Sequence, residues 1–341
     1  MTSTTTGPAR TDEDAFLAAA CLALRAPGED DPAAGRREDP LDTLGWWDLL
    51  TDLADPETRA AVFTLFRAQG RELASSTALG ALLAEPLRPA TGLAAGTVIA
   101  TVTRRSGRNG PRHVVLGDVT GKHLLVDRPG GGAVVLAAAD VTLRPVAIAG
   151  RLAVHELDPD EATVVVTLDE STAATARARS LFLGRVALAC EILGAAETAL
   201  ADAAAYAGTR EQFGRPIGTF QAVRHLLAAA ATDAAALASV TAQAISLDEA
   251  APPHHDEIVK ALAGRNGRLV CERALQVLGG IGFTSEHSHH HFHSRVLALD
   301  ALLGTSAELT HGLGSRLRQT RGDTAVPLAA LLARPPVADA H

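Results

Sequence analysis

Two segments in the second half of the chain carry residue types that bind phosphorylated ligands. Arg210 lies where a helix-type segment ends, and a guanidinium there can donate two parallel hydrogen bonds to a diphosphate. The alternative is that its charge satisfies the last carbonyl groups of that helix. Further along, Gln276 offers a donor and an acceptor, and Gly279 and Gly280 would let backbone amides come close to an anion. These residue types favour a site for an anionic ligand.

The two segments form motifs that are too particular for ordinary helix connections. The first is Arg210-Glu-Gln-Phe-Gly-Arg-Pro-Ile, followed by Phe220-Gln, and the second is Gln276-Val-Leu-Gly-Gly-Ile-Gly-Phe. Together they resemble the C-terminal domain of the flavin-dependent acyl-CoA dehydrogenases, and the resemblance covers residues 180–310. It implies FAD as the cofactor, with a set of contacting residues: Arg210, Phe213, Gln276, Gly279, Gly280 and Thr305.

The resemblance also implies that the FAD clasp is shared between subunits. In the family, the arginine and the phenylalanine that match Arg210 and Phe213 contact the adenine-diphosphate half of an FAD held by the neighbouring subunit. A dinucleotide site built in this way requires an oligomer.

The position that the family gives to its catalytic base is apolar in this sequence. The resemblance implies that a glutamate removes the α-proton of an acyl-CoA thioester while the β-hydride passes to the flavin, leaving a trans-2-enoyl-CoA. In many members this glutamate precedes Gly-Thr, and here Leu303 precedes Gly304-Thr305. Phe292 matches the aromatic residue eleven positions before the base and supports this register. The second location that some members use, just before Arg185, is Gly184, so no catalytic residue is assigned.

Two nearby carboxylates leave an alternative open. Asp300 and Glu308 flank Leu303, and a solvated helix face is a better interpretation of both than a displaced base. The middle of the chain also lacks the Thr-Glu-Pro segment and the Trp-Ile-Thr or Trp-Ile-Ser strand that hold the flavin ring and the substrate in the family. These absences predict a subunit that has lost its own active site.

Three functions follow from the resemblance. The leading one is the non-catalytic, FAD-clasping subunit of a hetero-oligomer, with a second acyl-CoA dehydrogenase subunit, an acyl-CoA substrate and an electron-transfer flavoprotein or similar acceptor. The second is a self-sufficient homo-oligomeric dehydrogenase with a displaced base. The third is a flavin-free structural subunit.

The hydrophobic pattern predicts the elements that must position these residues. The fold class is α+β, mostly α, and similar to the acyl-CoA dehydrogenases: a helical domain at 1–85, a small β-rich domain at 86–170, an antiparallel four-helix bundle at 171–320 and a tail at 321–341. The bundle helices are predicted at 173–207, 218–249, 256–278 and 295–318. In the first domain, a helix is predicted within 41–53, and the periodic stretch 57–83 is expected to be interrupted at Gly70.

The β-rich domain is predicted from short β-branched runs separated by glycine turns. The strand-type runs are 98–103, 113–116, 123–126, 133–136 and 163–167. The glycine clusters 107–110 and 130–132 between them do not fit a dinucleotide-binding fingerprint and predict hairpin turns. Trp46 and Trp47 are predicted to anchor the core of the first domain.

Composition narrows the class of protein. The chain has 341 residues with 39 acidic and 31 basic side chains, a net charge of −8, which disfavours nucleic acid or an anionic lipid surface as a partner. No apolar run approaches the ~20 uncharged residues of a spanning helix, and the first residues lack a targeting pattern, so a cytoplasmic protein without a membrane segment is expected. Cys21, Cys190 and Cys271 predict reduced structural thiols.

The histidine-rich stretch His287–His293 raises a metal hypothesis, because neutral imidazoles bind zinc or nickel. No cysteine or pair of carboxylates lies close by in sequence to complete a four-ligand site. We therefore predict no functional metal.

Overall fold

The computed structural model describes residues 8–25, 41, 44–105, 111–128, 130–147, 150–159, 162–284 and 286–319. Helices α1 to α5 come first: α1 (Pro8–Leu24), α2 (Trp46–Leu50), α3 (Pro56–Glu72), α4 (Ala78–Ala84) and α5 (Arg88–Thr91). After a region of strands, α6 to α10 follow: α6 (Glu170–Thr209), α7 (Gln221–Leu247), α8 (His255–Leu278), α9 (His289–Asp300) and α10 (Ser306–Gln319). This order confirms the mostly helical α+β fold class.

The strands between the helices form two four-stranded sheets. They are β1 (Val98–Ala100), β2 (Val102–Arg105), β3 (Pro111–Leu116), β4 (His123–Asp127), β5 (Ala133–Ala137), β6 (Leu143–Pro145), β7 (Val154–Leu157) and β8 (Val164–Leu168). One sheet has the order β1-β4-β5-β8 and the other β2-β3-β7-β6, and β1 pairs with β4 in parallel whereas the other pairs are antiparallel. Two further short strands, β9 (Glu211–Gln212) and β10 (Arg215–Pro216), form a hairpin between α6 and α7.

The strand predictions are partly confirmed. The predicted run 98–103 is two strands that belong to different sheets, separated at Thr101. Strands β6 and β7 were not predicted, because Leu-Arg-Pro and Val-His-Glu-Leu carry no β-branched run and are ordered by pairing with each other and with β3. The turn at Gly130–Gly132 closes the β4–β5 hairpin as predicted, with the Arg128 amide donating to the Gly132 carbonyl at 2.8 Å. The glycine cluster at 107–110 lies outside the described residues.

Gly70 does not interrupt a helix, so that prediction is wrong. It lies inside α3, where this helix crosses α6, and a Cβ added to it would lie 2.0 Å from the Glu191 carbonyl oxygen. Gly194 of α6 is reciprocal, because its Cβ would lie 2.0 Å from the Arg67 carbonyl oxygen. The two glycines let the two backbones pack in direct contact. The helix ends instead at Leu73, which adopts a left-handed conformation with φ 53°.

The last predicted helix, 295–318, is also wrong as a single element. Helix α9 ends at Asp300 and α10 begins at Ser306. Between them Leu303 has φ 54° and Gly304 has φ 98°, which no α-helix accommodates. The helix-type periodicity continues across this break because both helices bury a face in the same domain, whereas the turn depends on tertiary contacts described below.

Helices α6 and α8 run in the same direction, which brings both sequence motifs to one end of the helical domain. Near their N-terminal parts, Arg185 Nη1 lies 2.7 Å from Asp256 Oδ2. Seven residues further along α6, Ile192 touches the site of Gly267. Their C-terminal ends, which carry the two motif segments, therefore point to the same end of the helical domain.

A buried ion pair ties the domains together. The side chains of Arg295 in α9 and Glu191 in α6 are 0% and 1% exposed, and their charged atoms are 2.5 Å apart. The same guanidinium donates to the Gly150 and Arg151 carbonyls, and Gln69 of α3 donates to Glu191 at 2.9 Å. Helices from the first and last parts of the chain and a segment of the β-rich region thus share one hydrogen-bond network.

The predicted core residues are placed as expected. Trp46 is fully buried and packs edge-on against Phe66, with ring centroids 5.7 Å apart. Trp47 lies over Gly96 and under the Lys122 ammonium, 4.7 Å from the ring centroid, and so joins α2 to the β-rich region. The three cysteines are buried, and none of them is in a disulfide bond.

Helix α7 is unusually apolar for a helix at the surface. Within the described residues, the segment Gln221–Ala250 is the one stretch whose length and composition would allow a membrane crossing, and 22% of its apolar window is buried. Its buried positions recur every three to four residues, namely Ala230, Ala234, Leu237, Thr241 and Ala244. Asp233 on this helix pairs with Arg273 of α8. It is therefore a packed helix of the helical domain that presents a face of mainly alanine, serine and threonine outward.

Candidate functional site

A cleft of about 310 Å³ opens where the first helices, the β-rich region and the helical domain meet. Its walls come from α4 and the segment after it, from β1, β2 and β4, from the N-terminal third of α6 and from the α9–α10 turn. The lining residues are Leu83, Leu87, Ala100, Thr101, Val102, Leu125, Asp127, Arg177, Ser180, Leu181, Arg185, Ala301, Leu303, Gly304 and Glu308. The walls are mainly apolar, and four charged side chains lie among them.

Leu303 lines the cleft and packs against Gly184, so the two positions that the family resemblance gives to a base are neighbours. A Cβ added to Gly184 would lie 2.7 Å from Leu303 Cδ1 and 2.5 Å from Leu83 Cδ2. The Leu303 side chain thus occupies the space that a side chain at position 184 would need. The Arg185 guanidinium donates through Nε to the Leu303 carbonyl at 3.1 Å, so the turn is also fixed to α6.

The two carboxylates in the cleft lining already have structural partners. Asp127 forms an ion pair with Arg177 at 2.8 Å, and Arg177 also donates to the Gly131 carbonyl in the β4–β5 turn. Glu308 accepts a hydrogen bond from the Thr305 amide at 3.1 Å, while its own amide donates to Thr305 Oγ1 at 3.1 Å. This reciprocal pair is a capping box at the start of α10.

Asp300 does not line the cleft, and it also caps α10. Its carboxylate accepts from the Ser306 amide at 2.9 Å and from Ser306 Oγ at 3.1 Å. The prediction of a solvated helix face for Asp300 and Glu308 is therefore wrong: both are partly buried and both satisfy amides that a helix N-terminus leaves without partners. The break at 301–305, which the sequence pattern did not predict, creates the need for these caps.

Lys260 of α8 lies directly behind the turn, and sequence reasoning missed it. Its side chain is 0% exposed, and its ammonium donates to the carbonyls of Asp300 at 3.1 Å and Gly304 at 3.2 Å. Burial lowers its pKa to about 8, and the Asp300 carboxylate, 3.5 Å away, opposes that shift. The only signal in the sequence is a lysine between apolar residues on the buried face of a helix.

At the far end of α6, the first motif folds into an exposed hairpin. Arg210 is the C-cap of α6, and its guanidinium has no ion-pair partner among the described residues. The alternative that its charge caps the helix is not realised there. Phe213 sits in the hairpin turn with φ 56° and is 92% exposed. Its ring packs edge-on against Phe220, and the Arg215 guanidinium lies 4.3 Å above that second ring.

The second motif lies at the same end of the domain. Gln276 and Gly280 are exposed, and α8 stops at Gly279, which has φ 63°. A Cβ added to Gly279 or Gly280 would meet no atom within 4 Å, so the backbone there faces open space. We call the following residues of both motifs the clasp surface: Arg210, Phe213, Arg215, Gln276, Gly279 and Gly280. Gly279 is half-buried and the other five are exposed. Five of the six predicted cofactor residues lie in these two segments, at the C-terminal ends of α6 and α8, whereas Thr305 lies in the cleft turn.

The histidine-rich stretch forms the start of α9 beside the clasp surface. His289 is 1% exposed, and its ring centroid lies 6.5 Å from that of His287 and 6.3 Å from that of His293. Burial and these neighbouring imidazoles lower the pKa of His289 to about 4. Among the residues that the structure describes, no three histidine, cysteine or acidic side chains come together as a metal ligand set.

Comparison with known proteins assigns the helical domain. A family model described as "Acyl-CoA dehydrogenase, C-terminal domain" matches residues 174–317. The acyl-CoA dehydrogenase FadE34 of Mycobacterium tuberculosis is 33% identical over 260 residues, which are 74% of this chain and 33% of FadE34. The chain thus spans about one third of the length of that relative.

Solved structures extend the similarity to the whole fold. A Tcur3481-Tcur3483 steroid ACAD variant matches with a TM-score of 0.70 at 22% identity, covering 91% of this chain and 99% of that one. The ChsE4-ChsE5 complex from Mycobacterium tuberculosis matches with a TM-score of 0.65 at 21% identity, covering 93% and 99%. At these identities the similarity establishes the fold alone.

Proposed function

We propose that this chain, whose C-terminal domain belongs to the acyl-CoA dehydrogenase family, is the non-catalytic, FAD-clasping subunit of a hetero-oligomeric acyl-CoA dehydrogenase. The reaction of the assembly is the α,β-dehydrogenation of an acyl-CoA thioester to a 2-enoyl-CoA. A second acyl-CoA dehydrogenase chain supplies the base. An electron-transfer flavoprotein or a similar acceptor reoxidises the flavin, and the assembly works in the cytoplasm.

The observation that carries this proposal is the packing of Leu303 against Gly184. Removal of a weakly acidic α-proton needs a positioned base within hydrogen-bond reach. Both positions at which the family resemblance locates that base are without a carboxylate, and the leucine fills the space between them. The carboxylates that do line the cleft, Asp127 and Glu308, hold an arginine and a helix N-terminus.

The residues of the clasp surface are suited to contact an FAD molecule that a neighbouring subunit holds. Arg210 would bind the diphosphate with two N–H groups, and the open backbone at Gly279 and Gly280 would let amides approach it. Phe213, almost fully exposed, would pack against the cofactor, and Gln276 would donate or accept hydrogen bonds. Bound FAD accepts the hydride in this chemistry.

Thr305 would act away from the clasp surface. Its Oγ1 accepts the Glu308 amide, so its hydroxyl proton remains free to be donated. We propose that it donates to the bound cofactor.

A displaced base is the second candidate function, and one observation favours it. Glu308 lines the cleft with an acid group close to Leu303. A self-sufficient homo-oligomer would use this carboxylate or that of Asp300. The flavin-free structural subunit has no such support, because Phe213 is 92% exposed and Arg210 has no ion-pair partner among the described residues.

The test is the visible spectrum and flavin content of the chain purified alone and after co-expression with a neighbouring acyl-CoA dehydrogenase gene product. We expect colourless protein alone and about one flavin per pair of unlike chains in the complex. One flavin per chain in the protein alone would overturn the proposal and favour the homo-oligomer.

A second test compares Arg210→Met with Arg144→Met in the complex. Arg144 is an exposed residue of β6, far from both motifs, and its variant is the matched control. A flavin content that Arg210→Met leaves unchanged would count against the clasp.

A further inference from the structure

Lys260 is a fully buried cation in contact with a turn that forms one wall of the cleft. Burial of an ammonium group is costly unless its donors are satisfied. Here two of its acceptors are main-chain carbonyls, those of Asp300 and Gly304, and the third is the Asp300 carboxylate. The contacts bracket the turn, since one carbonyl belongs to the last residue of α9 and the other lies two residues before α10.

A second cation holds the turn from the opposite helix. Arg185 of α6 donates to the carbonyl of Leu303 at 3.1 Å. Three carbonyl oxygens within five residues are therefore held by two cations on α6 and α8. A leucine in the left-handed region is strained, and such a conformation persists only where its surroundings impose it.

We propose that Lys260 is a positioning residue for the cleft: its charged ammonium holds the 301–305 turn in the conformation that directs the side chain of residue 303 into the cleft. Two of these hydrogen bonds run to main-chain atoms and the third to Asp300, so the direction of side chain 303 does not depend on which residue occupies that position. Residue 303 would then keep its direction in the cleft whether it is a leucine or an acid.

The charges around Lys260 define what its loss of a proton would do. From α9 it faces the carboxylate of Asp300, and from α6 it faces the like charge of Arg185. Arg185 is itself paired with Asp256 and lies 3.8 Å from Glu257, both on α8. Because its pKa of about 8 is far below the usual value for lysine, Lys260 can be discharged at a pH that leaves the neighbouring arginine charged. Discharge removes the charge assistance from both carbonyl contacts.

The experiment is methyl NMR of protein labelled with ¹³C at leucine methyl groups, recorded from pH 6.5 to 9.5. We expect the Leu303 methyl resonances, assigned with Leu303→Met, to shift with a midpoint near pH 8. In Lys260→Met we expect them to be displaced already at pH 6.5 and to show no titration. Lys122→Met is the matched control, since Lys122 also donates to a main-chain carbonyl, that of Gly96, in another part of the molecule.

A pH-independent Leu303 signal, or one that titrates equally in Lys260→Met, would overturn the proposal. If Lys260→Met fails to fold, the ε-carbon resonance of Lys260 in wild-type protein replaces it. That resonance and the Leu303 methyl groups must titrate with the same midpoint, and different midpoints would also overturn the proposal. None of these measurements needs flavin or a partner chain, so this inference stands or falls separately from the proposed function.

Discussion

The cleft and the clasp surface differ in whether their charged and aromatic side chains have partners within the chain. In the cleft, Arg177, Arg185, Asp127 and Glu308 each have a partner within the chain. At the clasp surface, Arg210 has no ion pair among the described residues and Phe213 is almost fully exposed. A site that keeps its donors unpaired is prepared for a ligand from outside the chain, whereas a site whose charges are all engaged has little left for chemistry. This contrast supports the proposal that the chain assists a neighbour's cofactor rather than using its own.

Loss of the buried ion pair between Arg295 and Glu191 should lower the stability of the fold more than any other change considered below. Arg295→Met would leave Glu191 as an unpaired buried charge, and we expect the free energy of unfolding to fall by about 3–5 kcal/mol. Urea titration followed by circular dichroism measures this. Arg268→Met, which removes an exposed pair with Glu272 in α8, should cost no more than ~0.5 kcal/mol. Equal losses in the two variants would show that the buried pair is not what joins the domains.

The second prediction concerns the pH dependence of stability that arises from His289, beside the clasp surface. The folded pKa of His289, beside the clasp surface, is about 4 against 6.5 for the free side chain, so the unfolded chain binds a proton first as the pH falls. The stability that depends on neutral His289 is therefore fully present above pH 6.5. As the pH falls from 6.5 to 4, the free energy of unfolding decreases by up to about 3 kcal/mol. We expect His289→Leu to reduce this acid loss and exposed His311→Leu to retain it, as measured by urea titrations at pH 7 and 4.5. An unchanged slope in His289→Leu would contradict the assignment.

A third prediction addresses the clasp surface itself. Arg210→Met in the co-expressed complex removes a charge-assisted contact of about 1.5–3 kcal/mol, so FAD should dissociate about 10- to 100-fold more readily. Flavin fluorescence on dilution measures the change. Arg210→Lys should recover only part of the affinity, because an ammonium cannot donate in the two-pronged geometry of a guanidinium. Full recovery by lysine would indicate a simple point charge.

The smallest predicted effect concerns the cleft turn. Thr305→Val removes the hydroxyl of the capping box and should lower the free energy of unfolding by about 1 kcal/mol, whereas Thr305→Ser should leave it unchanged. Thermal denaturation of both variants at one pH is sufficient. If valine were neutral, the hydroxyl would have no part in starting α10.

What the sequence predicted was local in origin. The motifs around Arg210 and Gln276 are continuous stretches with a recognisable pattern, and the register that places Leu303 at the base position follows from counting residues along one segment. The parallel course of α6 and α8 then brings both motifs together, as the bundle prediction required.

What the sequence did not predict depends on contacts between distant residues. Because a glycine weakens a helix, the sequence predicts a break at Gly70, but in the fold this glycine lets the backbone of α6 pack closely. The break between α9 and α10 was missed because both helices keep the same apolar periodicity across it. Lys260 was missed because only the folded chain places its ammonium beside the carbonyls of Asp300 and Gly304.

Whether this chain supplies the base is tested by the turnover of the co-expressed complex after this chain's carboxylates near the cleft are converted to amides. The variants are Asp127→Asn, Asp300→Asn and Glu308→Gln, and glutamine retains the capping geometry at position 308. A general base contributes about 10²- to 10⁴-fold to the rate. We expect acyl-CoA dehydrogenation within about twofold of the unmodified complex for each variant. A loss of about 100-fold or more in any one of them would show that this chain supplies the base.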